Sequence, residues 1–403
     1  MTTFLQLHLL TSYPPACLNR DDLNRPKTAV MGGIPRLRIS SQSLKRAWRT
    51  SDAFRETLTG HMGIRSKELG QHVRDALLSG IPLQDLLQPN APEARPDNQV
   101  PTSDAVNWAW MIAAEYVDKK SKGSDENGDQ ASDVSDDEGK KRGKKKDAKS
   151  NVSKDTLKSE QIVFYSQAEI KALNQLVVEL RARGKAPTVE QLRAIQIEDS
   201  GEAADLALFG RMLASSPKFN VEAACQVAHA VTVHRAAVED DFFTAVDDLN
   251  TREEDTGSAH MGEQGFGAGL FYIYVCLNCD QLREQLGDDL AGRAIGALVE
   301  AAATVAPTGK QNSFASRAWA YYALAEKGSR QPRALSLAFM KPVNEYDKGM
   351  LANAVKALGD MRDNLDKVYY QGKALDSRSI NAVSGEGDFG KLKSWAADCG
   401  NAA

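Results

Sequence analysis

The pattern of apolar and polar residues predicts several β-strands. In residues 5–9 leucine alternates with a polar side chain, Gln6 or His8, which is the period of a half-buried strand. The same period returns further along the chain, in residues 36–39, 225–234 and 270–277. Residues 11–35 are rich in proline, asparagine and glycine, so we expect a long loop between the first two strands.

Apolar residues with helical spacing occupy much of the remaining chain. They are found in five stretches, residues 55–118, 170–180, 204–213, 288–303 and 349–370. A short basic helix is also expected from Leu44, with Ser41 or Ser43 as its N-cap. In the last helix the spacing assigns five core positions: Leu351, Val355, Leu358, Leu365 and Val368. Because strands and helices do not alternate regularly, the predicted fold class is α+β rather than a doubly wound α/β fold.

Residues 118–158 differ abruptly in composition from the rest of the chain. These 41 residues contain 12 bases, 10 acids and no aromatic residue, and most of the acids precede most of the bases. Such a segment cannot bury enough apolar area to offset its chain entropy. We therefore expect a disordered, charged insertion.

Chain length and cysteine content limit the class of protein. A length of 403 residues corresponds to two or three domains. The apolar residues 1–10 are interrupted by polar ones and have no basic residue before them, unlike a signal peptide. No stretch reaches the roughly 20 apolar residues of a membrane span. Five cysteines, an odd and sparse number, fit a reducing compartment, so we expect a cytoplasmic protein.

The net charge of −4 conceals an uneven distribution of charge. Residues 1–50 contain eight basic and two acidic side chains, which gives this segment a charge of +6. Salt screens exposed charges beyond about 10 Å, so a polyanion responds to the local charge rather than to the average. The acidic total therefore does not exclude a nucleic-acid partner.

Residues 36–49, RLRISSQSLKRAWR, are the strongest candidate binding segment. They combine the start of a predicted helix with hydroxyl, amide and basic side chains, which are the groups that hold successive phosphates without reading bases. The candidate residues are Arg38, Ser40, Ser41, Gln42, Ser43, Lys45, Arg46 and Arg49. The alternative is an ordinary amphipathic helix with a solvated basic face.

Three further motifs carry weaker chemical signals. Gly309-Lys310 suggests a phosphate-binding loop, but the first glycine of the Walker pattern is missing, so only a looser RNA-phosphate contact stays open. Cys276 and Cys279 lack the second pair that structural zinc needs, which favours a buried, inert pair. The histidines of AHAVTVH (228–234) are interpreted as core or surface residues.

An acidic run covers residues 239–255, with eight acids and one base. Three interpretations are open: Mg²⁺ binding for nuclease chemistry, a solvated loop face, or a contact with the basic N-terminal surface of another copy. The last arrangement would build a head-to-tail filament. The solvated face is favoured. His260, in the glycine-rich loop that follows, is a candidate general acid or base for RNA cleavage.

Six motifs follow one another along the chain: CLNRDD (17–22), MGGIPRLRISSQSLKRA (31–47), GRM (210–212), AHAVTVH (228–234), FFTAVDD (242–248) and GSAHMG (257–262). Together they resemble the CasC family, the backbone subunit of the Cascade surveillance complex in type I-E CRISPR systems.

This resemblance implies a right-hand architecture of the RAMP superfamily. The palm would be a modified ferredoxin-like, RNA-recognition-motif-type sheet, carrying an inserted helical finger domain and an extended thumb hairpin. The implied boundaries are 1–54, 204–235 and 270–403 for the palm with its C-terminal helical elements, 55–203 for the fingers with the insertion at 118–158, and 236–269 for the thumb.

The resemblance also implies which residues contact RNA. The phosphate grip falls on Arg20, Lys27, Ser40, Gln42, Lys45, Arg46 and Arg49, and a further contact loop on Lys310 and Gln311. Two apolar wedges, Met212 and Met261, would each displace a nucleotide, since an unbranched thioether fits between bases of any identity.

The implied function is non-catalytic and needs no metal or other cofactor and no membrane. Copies would polymerise head to tail along CRISPR RNA and present it for pairing with target DNA in antiviral defence. The expected partners are CRISPR RNA, further copies of the chain and other Cascade subunits. The alternative is a RAMP-type endoribonuclease that processes precursor CRISPR RNA, with His260 as general acid or base.

Overall fold

The structure is a computed structural model that describes most of the chain. The described residues are 2–88, 90–116, 157–159, 161–195, 202–213, 217–245, 260–344, 346 and 349–400. The predicted insertion up to residue 156, the acidic residues from Asp247 to Asp255 and the first part of GSAHMG lie outside them. Where the chain is described again, Leu157 is buried and Lys158 forms an ion pair with Glu68.

The described residues form eleven strands. In chain order they are β1 (Phe4–Ala16), β2 (Thr28–Met31), β3 (Ile34–Ile39), β4 (Ile64–Ser66), β5 (Val163–Tyr165), β6 (Cys225–Val227), β7 (Ala230–Thr232), β8 (Glu239–Ala245), β9 (His260–Asn278), β10 (Ala320–Gly328) and β11 (Asp376–Asn381).

The same residues form thirteen α-helices. In chain order they are α1 (Ser41–Arg49), α2 (Asp52–Thr57), α3 (Leu69–Ser79), α4 (Leu83–Leu86), α5 (Thr102–Ala114), α6 (Gln167–Arg183), α7 (Val189–Ala194), α8 (Ala204–Phe209), α9 (Cys279–Leu286), α10 (Asp288–Thr304), α11 (Gln311–Phe314), α12 (Met350–Tyr370) and α13 (Phe389–Ala397).

Nine of the described strands form one antiparallel sheet. Its order is β11-β10-β1-β9-β7-β3-β2, and β6 and β8 also pair with β9. In the centre of the sheet, Leu7 of β1 lies opposite Val275 of β9 on one side and Ala325 of β10 on the other. A sheet of this kind, combined with helices that do not alternate with its strands, confirms the predicted α+β class.

The chain divides into two compact units. The sheet unit comprises Met1–Met62, Ala207–Phe209 and Ala223–Ala403, and it contains the nine-stranded sheet. The helical unit comprises Gly63–Leu206 and Gly210–Glu222, and the apolar faces of α3, α5 and α6 build its core. The boundaries of palm, fingers and thumb stay a prediction.

Strand β1 differs from its prediction in two respects. The strand continues to Ala16, and β2 lies within the segment that was expected to be loop. Gln6 and His8 are as buried as the leucines between them, so the strand is not half-buried. Alternation alone could not reveal this, because burial of the polar face depends on partners distant in sequence. The Tyr272 hydroxyl lies 2.9 Å from Nδ1 of His8, and a Glu326 carboxylate oxygen lies 3.2 Å from its Nε2.

Strand β9 is long enough to serve two roles. Its second half lies in the sheet and contains the predicted strand 270–277, which is confirmed. Its first half pairs with β8 as a hairpin, in which Glu239 lies opposite Phe266 and Ala245 opposite His260.

Helix α12 confirms the predicted C-terminal helix. Leu358 lies in the core of the sheet unit, and Leu351, Val355 and Leu365 pack against that core. The fifth predicted core position is wrong, because Val368 is 76% exposed on the last turn of the helix. None of the helices within the described ranges is long and apolar enough to cross a membrane.

Candidate nucleic-acid interface

Helix α1 follows strand β3 directly, and Ser40 stands at the junction. The backbone of Ser40 is extended, and its hydroxyl accepts a 3.3 Å hydrogen bond from the N–H of Ser43. Ser40 is therefore the N-cap, and the predicted caps Ser41 and Ser43 are wrong by one and three positions. The apolar face of the helix, formed by Leu44 and Trp48, fixes this register, since both side chains are fully buried.

The opposite face of α1 presents polar and basic groups to solvent. Gln42 and Arg46 are exposed, and Lys45 and Arg49 are partly buried. The first turn contains no acidic side chain that would compete with an incoming anion. Together with the partial positive charge of a helix N-terminus, this face suits phosphate binding.

Asn19 connects the start of α1 to the preceding basic loop. Its side-chain Oδ1 accepts a 2.8 Å hydrogen bond from the N–H of Ser40, and its carbonyl accepts one of 2.8 Å from the N–H of Lys27. The N–H of Arg38 in turn donates to the carbonyl of Lys27, also at 2.8 Å. Asn19 was not predicted as a site residue, although it lies within the CLNRDD motif next to Arg20.

A second loop approaches the same region from residues 309–311. A Cβ atom at Gly309 would lie only 2.3 Å from the carbonyl oxygen of Leu18, so only glycine allows this close approach. The neighbouring Lys310 amine donates a 2.6 Å hydrogen bond to Oε1 of Gln264 in the hairpin. Gln311 accepts a 3.1 Å hydrogen bond from the hydroxyl of Ser316.

We name the resulting surface the Asn19 surface. It is defined by the loop residues Arg20 and Lys27, by Arg38 of β3, by Ser40, Gln42, Lys45, Arg46 and Arg49 at α1, and by Lys310 and Gln311 of the second loop. All ten predicted phosphate-contact residues lie in the sheet unit, and the loop of Gly309 touches the backbone of Leu18, next to Asn19.

Two members of the Asn19 surface contact residues of α8, of β6 and of the connection between β6 and β7. The Lys45 amine lies 3.4 Å from the Cys225 carbonyl and 5.5 Å from the centre of the Phe209 ring. Nη1 of Arg38 lies 2.7 Å from Nδ1 of His229. His229 is exposed, which agrees with its interpretation as a surface histidine, but its contact with Arg38 was not predicted.

Not every base of the +6 segment belongs to this surface. Arg36 is fully buried and donates hydrogen bonds to the carbonyls of Thr232 (3.1 Å) and Phe339 (2.9 Å). Burial lowers the pKa of the Arg36 guanidinium. Arg25 forms a 2.9 Å ion pair with Asp240 of β8. The Arg36 guanidinium thus bonds backbone carbonyls inside the sheet unit, and Arg25 is paired with an acidic side chain of β8.

The two candidate wedge residues are both exposed. Met212, in the helical unit, is 82% exposed, and Met261, on β9 of the hairpin, is 64% exposed. Phe242 and Phe243, which belong to the FFTAVDD motif, add exposed apolar area to the same hairpin. Neither phenylalanine was predicted as a site residue.

The other candidate groups are His260, the acidic run and the two cysteines of the C-x-x-C motif. The side chain of His260 and the acidic residues from Asp247 onward lie outside the described residues. Cys276 and Cys279 are buried, as expected, and burial raises the pKa of the Cys276 thiol to about 11. Within the described ranges no group of three His, Cys, Asp or Glu side chains could hold a metal ion.

Comparisons with known proteins agree with one another over nearly the whole chain. A family model described as "CT1975-like protein" matches residues 5–396. A chain of a structure titled "CRISPR RNA-guided surveillance complex, pre-nicking" is 27% identical, with a TM-score of 0.70 and coverage of 96% of this chain and 95% of that one. A chain of a "CRISPR RNA-guided surveillance complex" is 22% identical, with a TM-score of 0.62 and coverage of 96% and 94%, and shares the fold. A search of curated proteins finds no match.

Proposed function

The chain belongs to the CT1975-like protein family, and from this membership we propose that it is a CRISPR RNA-binding subunit of a Cascade-type surveillance complex. The likeness at 27% identity to a chain of an RNA-guided complex, over 96% of the present chain, supports this proposal.

One observation carries the proposal, namely the composition of the Asn19 surface. Its groups are cations, one hydroxyl, two amides and a helix N-terminus, all of which bind phosphates, and a contact with a phosphate carries no information about the base. A guide RNA varies in sequence, so the subunit that holds it must bind the backbone alone.

The finer proposal follows the type I-E CasC resemblance. Copies of the chain would assemble head to tail along the guide, alongside other subunits of the complex. Met212 and Met261 would displace nucleotides at intervals, and the segments between them would stay extended for pairing with target DNA. The exposure of both methionines supports this assignment, since a wedge must reach the base stack.

A comparison of two double variants tests RNA binding. Arg20→Ala with Arg46→Ala removes two exposed cations of the Asn19 surface. Lys356→Ala with Arg95→Ala removes two exposed cations that are paired with Asp360 and Glu93, and it serves as the charge-matched control.

We expect Arg20→Ala with Arg46→Ala to weaken the binding of oligouridine and of oligoadenine by the same factor. The control variant should bind both RNAs as the wild type does. For Arg20→Ala with Arg46→Ala, the slope of log K for RNA binding against log salt concentration should be less steep by about 1.4. Each phosphate contact to a single strand contributes about 0.7 to this slope, and two contacts are removed. Equal losses in both variants, or a loss confined to one RNA sequence, would contradict the proposal.

RNA of increasing length tests the filament. If copies assemble head to tail, the mass of the complex in analytical ultracentrifugation grows in steps with RNA length. A fixed small oligomer on every RNA would contradict that arrangement.

The absence of catalysis is part of the proposal and has its own test. Repeat RNA incubated with the protein in EDTA should stay intact, and the same RNA should stay intact with Mg²⁺ added. Site-specific cleavage that disappears in His260→Ala would establish the endoribonuclease instead.

A further inference from the structure

Trp319 lies in the loop that carries Lys310 and Gln311, directly before strand β10. Its side chain is 74% exposed, whereas the other four tryptophans of the chain are buried or partly buried. Tryptophan is on average one of the most buried residue types, because its large ring gains most from leaving water. The exposure of this one ring therefore calls for a ligand or partner.

The position of Trp319 is fixed by buried residues on both sides. Ser316 is fully buried, and its hydroxyl donates a 3.1 Å hydrogen bond to Oε1 of Gln311. Ala320 is also buried and begins β10, where it lies opposite Thr11 of β1. The indole is thus presented to solvent from a segment that the sheet and the loop hold in place.

The loop meets the β1 segment at both of its ends. Gly309 touches the Leu18 carbonyl, and Ala320 pairs with Thr11. Thr11 and Leu18 are seven residues apart, so their backbones are separated by at most about 25 Å. A nucleic-acid strand advances about 3.4 Å or more per nucleotide. A strand of about eight nucleotides is therefore long enough to reach from the Gly309 end of the loop to Trp319.

The charges of this part of the chain favour a polyanion. Between Glu300 and Glu326 there are two bases, Lys310 and Arg317, and no acid. Arg317 is exposed and lies two residues before Trp319. Proteins that bind single strands combine such cations with aromatic side chains on which bases stack. None of the ten residues that define the Asn19 surface is aromatic, so that surface alone offers no stacking contact.

We propose that Trp319 is a stacking platform for a base of the RNA that lies on the Asn19 surface, with Arg317 as the adjacent phosphate contact. This inference rests on the proposed RNA-binding function. Every base has a π-face, so a stacking contact adds affinity for any guide sequence. Stacking covers the face of the base and leaves its Watson–Crick edge free for pairing.

Three variants and two probes make the test specific. Trp319→Ala removes the ring, and Trp319→Tyr keeps an aromatic face. Tyr369→Ala, which alters an aromatic residue of α12 that is 72% exposed, is the control. Both positions are exposed, so all three variants should fold with nearly unchanged stability. The probes are oligoadenine and an abasic sugar-phosphate oligomer of the same length, which presents phosphates without bases.

We expect Trp319→Ala to bind oligoadenine about tenfold more weakly than the wild type does, the typical effect of one lost stacking contact. The same variant should bind the abasic oligomer as the wild type does. The slope of log K against log salt concentration should stay unchanged, because no charge is removed. Trp319→Tyr should stay within about threefold of the wild type for oligoadenine. Tyr369→Ala should match the wild type with both probes.

Tryptophan fluorescence gives a second measurement. Stacking of adenine on the exposed indole should quench part of the wild-type emission, whereas the abasic oligomer should not. In Trp319→Tyr this quenching should be absent, although the variant still binds oligoadenine. The other four tryptophans are present in both proteins and supply the same background.

Equal losses for both probes in Trp319→Ala, or no loss for either, would overturn the inference and leave RNA binding in place. The inference would also be overturned if Trp319→Ala kept its RNA affinity and lost self-association, because Trp319 would then contact a second copy of the chain. If the wild type binds neither probe, the proposed function fails, and this inference fails with it.

Discussion

Arg211 and Glu169 form a buried ion pair inside the helical unit. Nη1 of Arg211 lies 2.7 and 2.9 Å from the two carboxylate oxygens of Glu169, and neither side chain is exposed by more than 1%. Nε of Arg211 also donates a 3.0 Å hydrogen bond to the Phe219 carbonyl. Arg211 directly precedes Met212, so the arginine of the GRM motif anchors the loop from which the exposed methionine projects.

The first prediction concerns the stability of this anchor. Arg211→Met leaves the Glu169 carboxylate buried without its cation, which typically costs about 3–5 kcal/mol. The midpoint of urea unfolding, followed by circular dichroism, should fall accordingly. Adding Glu169→Gln removes the unpaired charge and keeps a helix-capping side chain, so the double variant should recover at least half of the loss. A loss below about 1 kcal/mol in Arg211→Met would contradict the anchoring role.

The second prediction separates the wedges from the phosphate contacts. Met212→Ala and Met261→Ala should leave stability nearly unchanged, because both side chains are exposed. They should reduce the fluorescence change of 2-aminopurine placed at a displaced nucleotide, while overall RNA affinity changes by less than about threefold. Val178→Ala, an exposed apolar residue of α6, is the control. A large, equal affinity loss from either methionine variant would mean that the wedge assignment is wrong.

The third prediction concerns the Lys310–Gln264 hydrogen bond. Lys310→Ala should weaken RNA binding by roughly threefold to tenfold and make the salt plot shallower by about 0.7, because one phosphate contact is lost. Gln264→Ala removes only the partner of the amine in the free protein, so the salt plot should keep its slope. If the slope of the salt plot stays unchanged in Lys310→Ala, Lys310 does not contact a phosphate of the RNA.

The fourth prediction concerns the pH dependence of folding. Burial lowers the pKa of His8, and this effect outweighs the opposing influence of the Glu326 carboxylate. Burial alone would raise the pKa of Glu326, but its hydrogen bond to His8 and the charge of Arg333 hold it below the usual value. In the folded protein the His8 ring is thus neutral, with Tyr272 and Glu326 on its two nitrogens.

The lowered pKa values of His8 and Glu326 both make the folded protein less stable at low pH. An unfolded histidine takes up a proton below about pH 6.5, whereas His8 in the fold does not, so stability decreases as the pH falls below that value. The contribution of Glu326 is complete above about pH 4.5 and is lost as the pH falls through its lowered folded pKa. Urea midpoints measured from about pH 7 to pH 5 should therefore decline less in His8→Gln than in the wild type. If the urea midpoints of both proteins decline equally over this pH range, the decline is caused by other histidines and not by His8.

Local features of the sequence were sufficient for many elements of the fold. The alternating residues of 270–277 identified the central part of β9, and helical spacing identified α10 and α12, because side-chain periodicity follows directly from backbone geometry. The basic segment 36–49 also predicted the members of the Asn19 surface on β3 and α1, whereas Arg20, Lys27 and Gln311 were implied only by the family resemblance. Their contact with RNA stays a prediction. Asn19 itself was missed, because its role is to bond two backbone N–H groups, and such a role leaves no pattern in charge or hydropathy.

Sequence alone therefore determined the α+β class, the main strands and helices, and the segment that carries the phosphate-type groups. Only the tertiary structure decided which of its bases face solvent: Arg36 and Arg38 are two residues apart on one strand, yet Arg36 is buried beneath the Phe339 segment while Arg38 reaches His229. The contact of Gly309 with Leu18 joins loops nearly three hundred residues apart. The physical reason is that burial depends on what packs against a residue, and the partners of Arg36, Thr232 and Phe339, lie 196 and 303 residues away in the sequence.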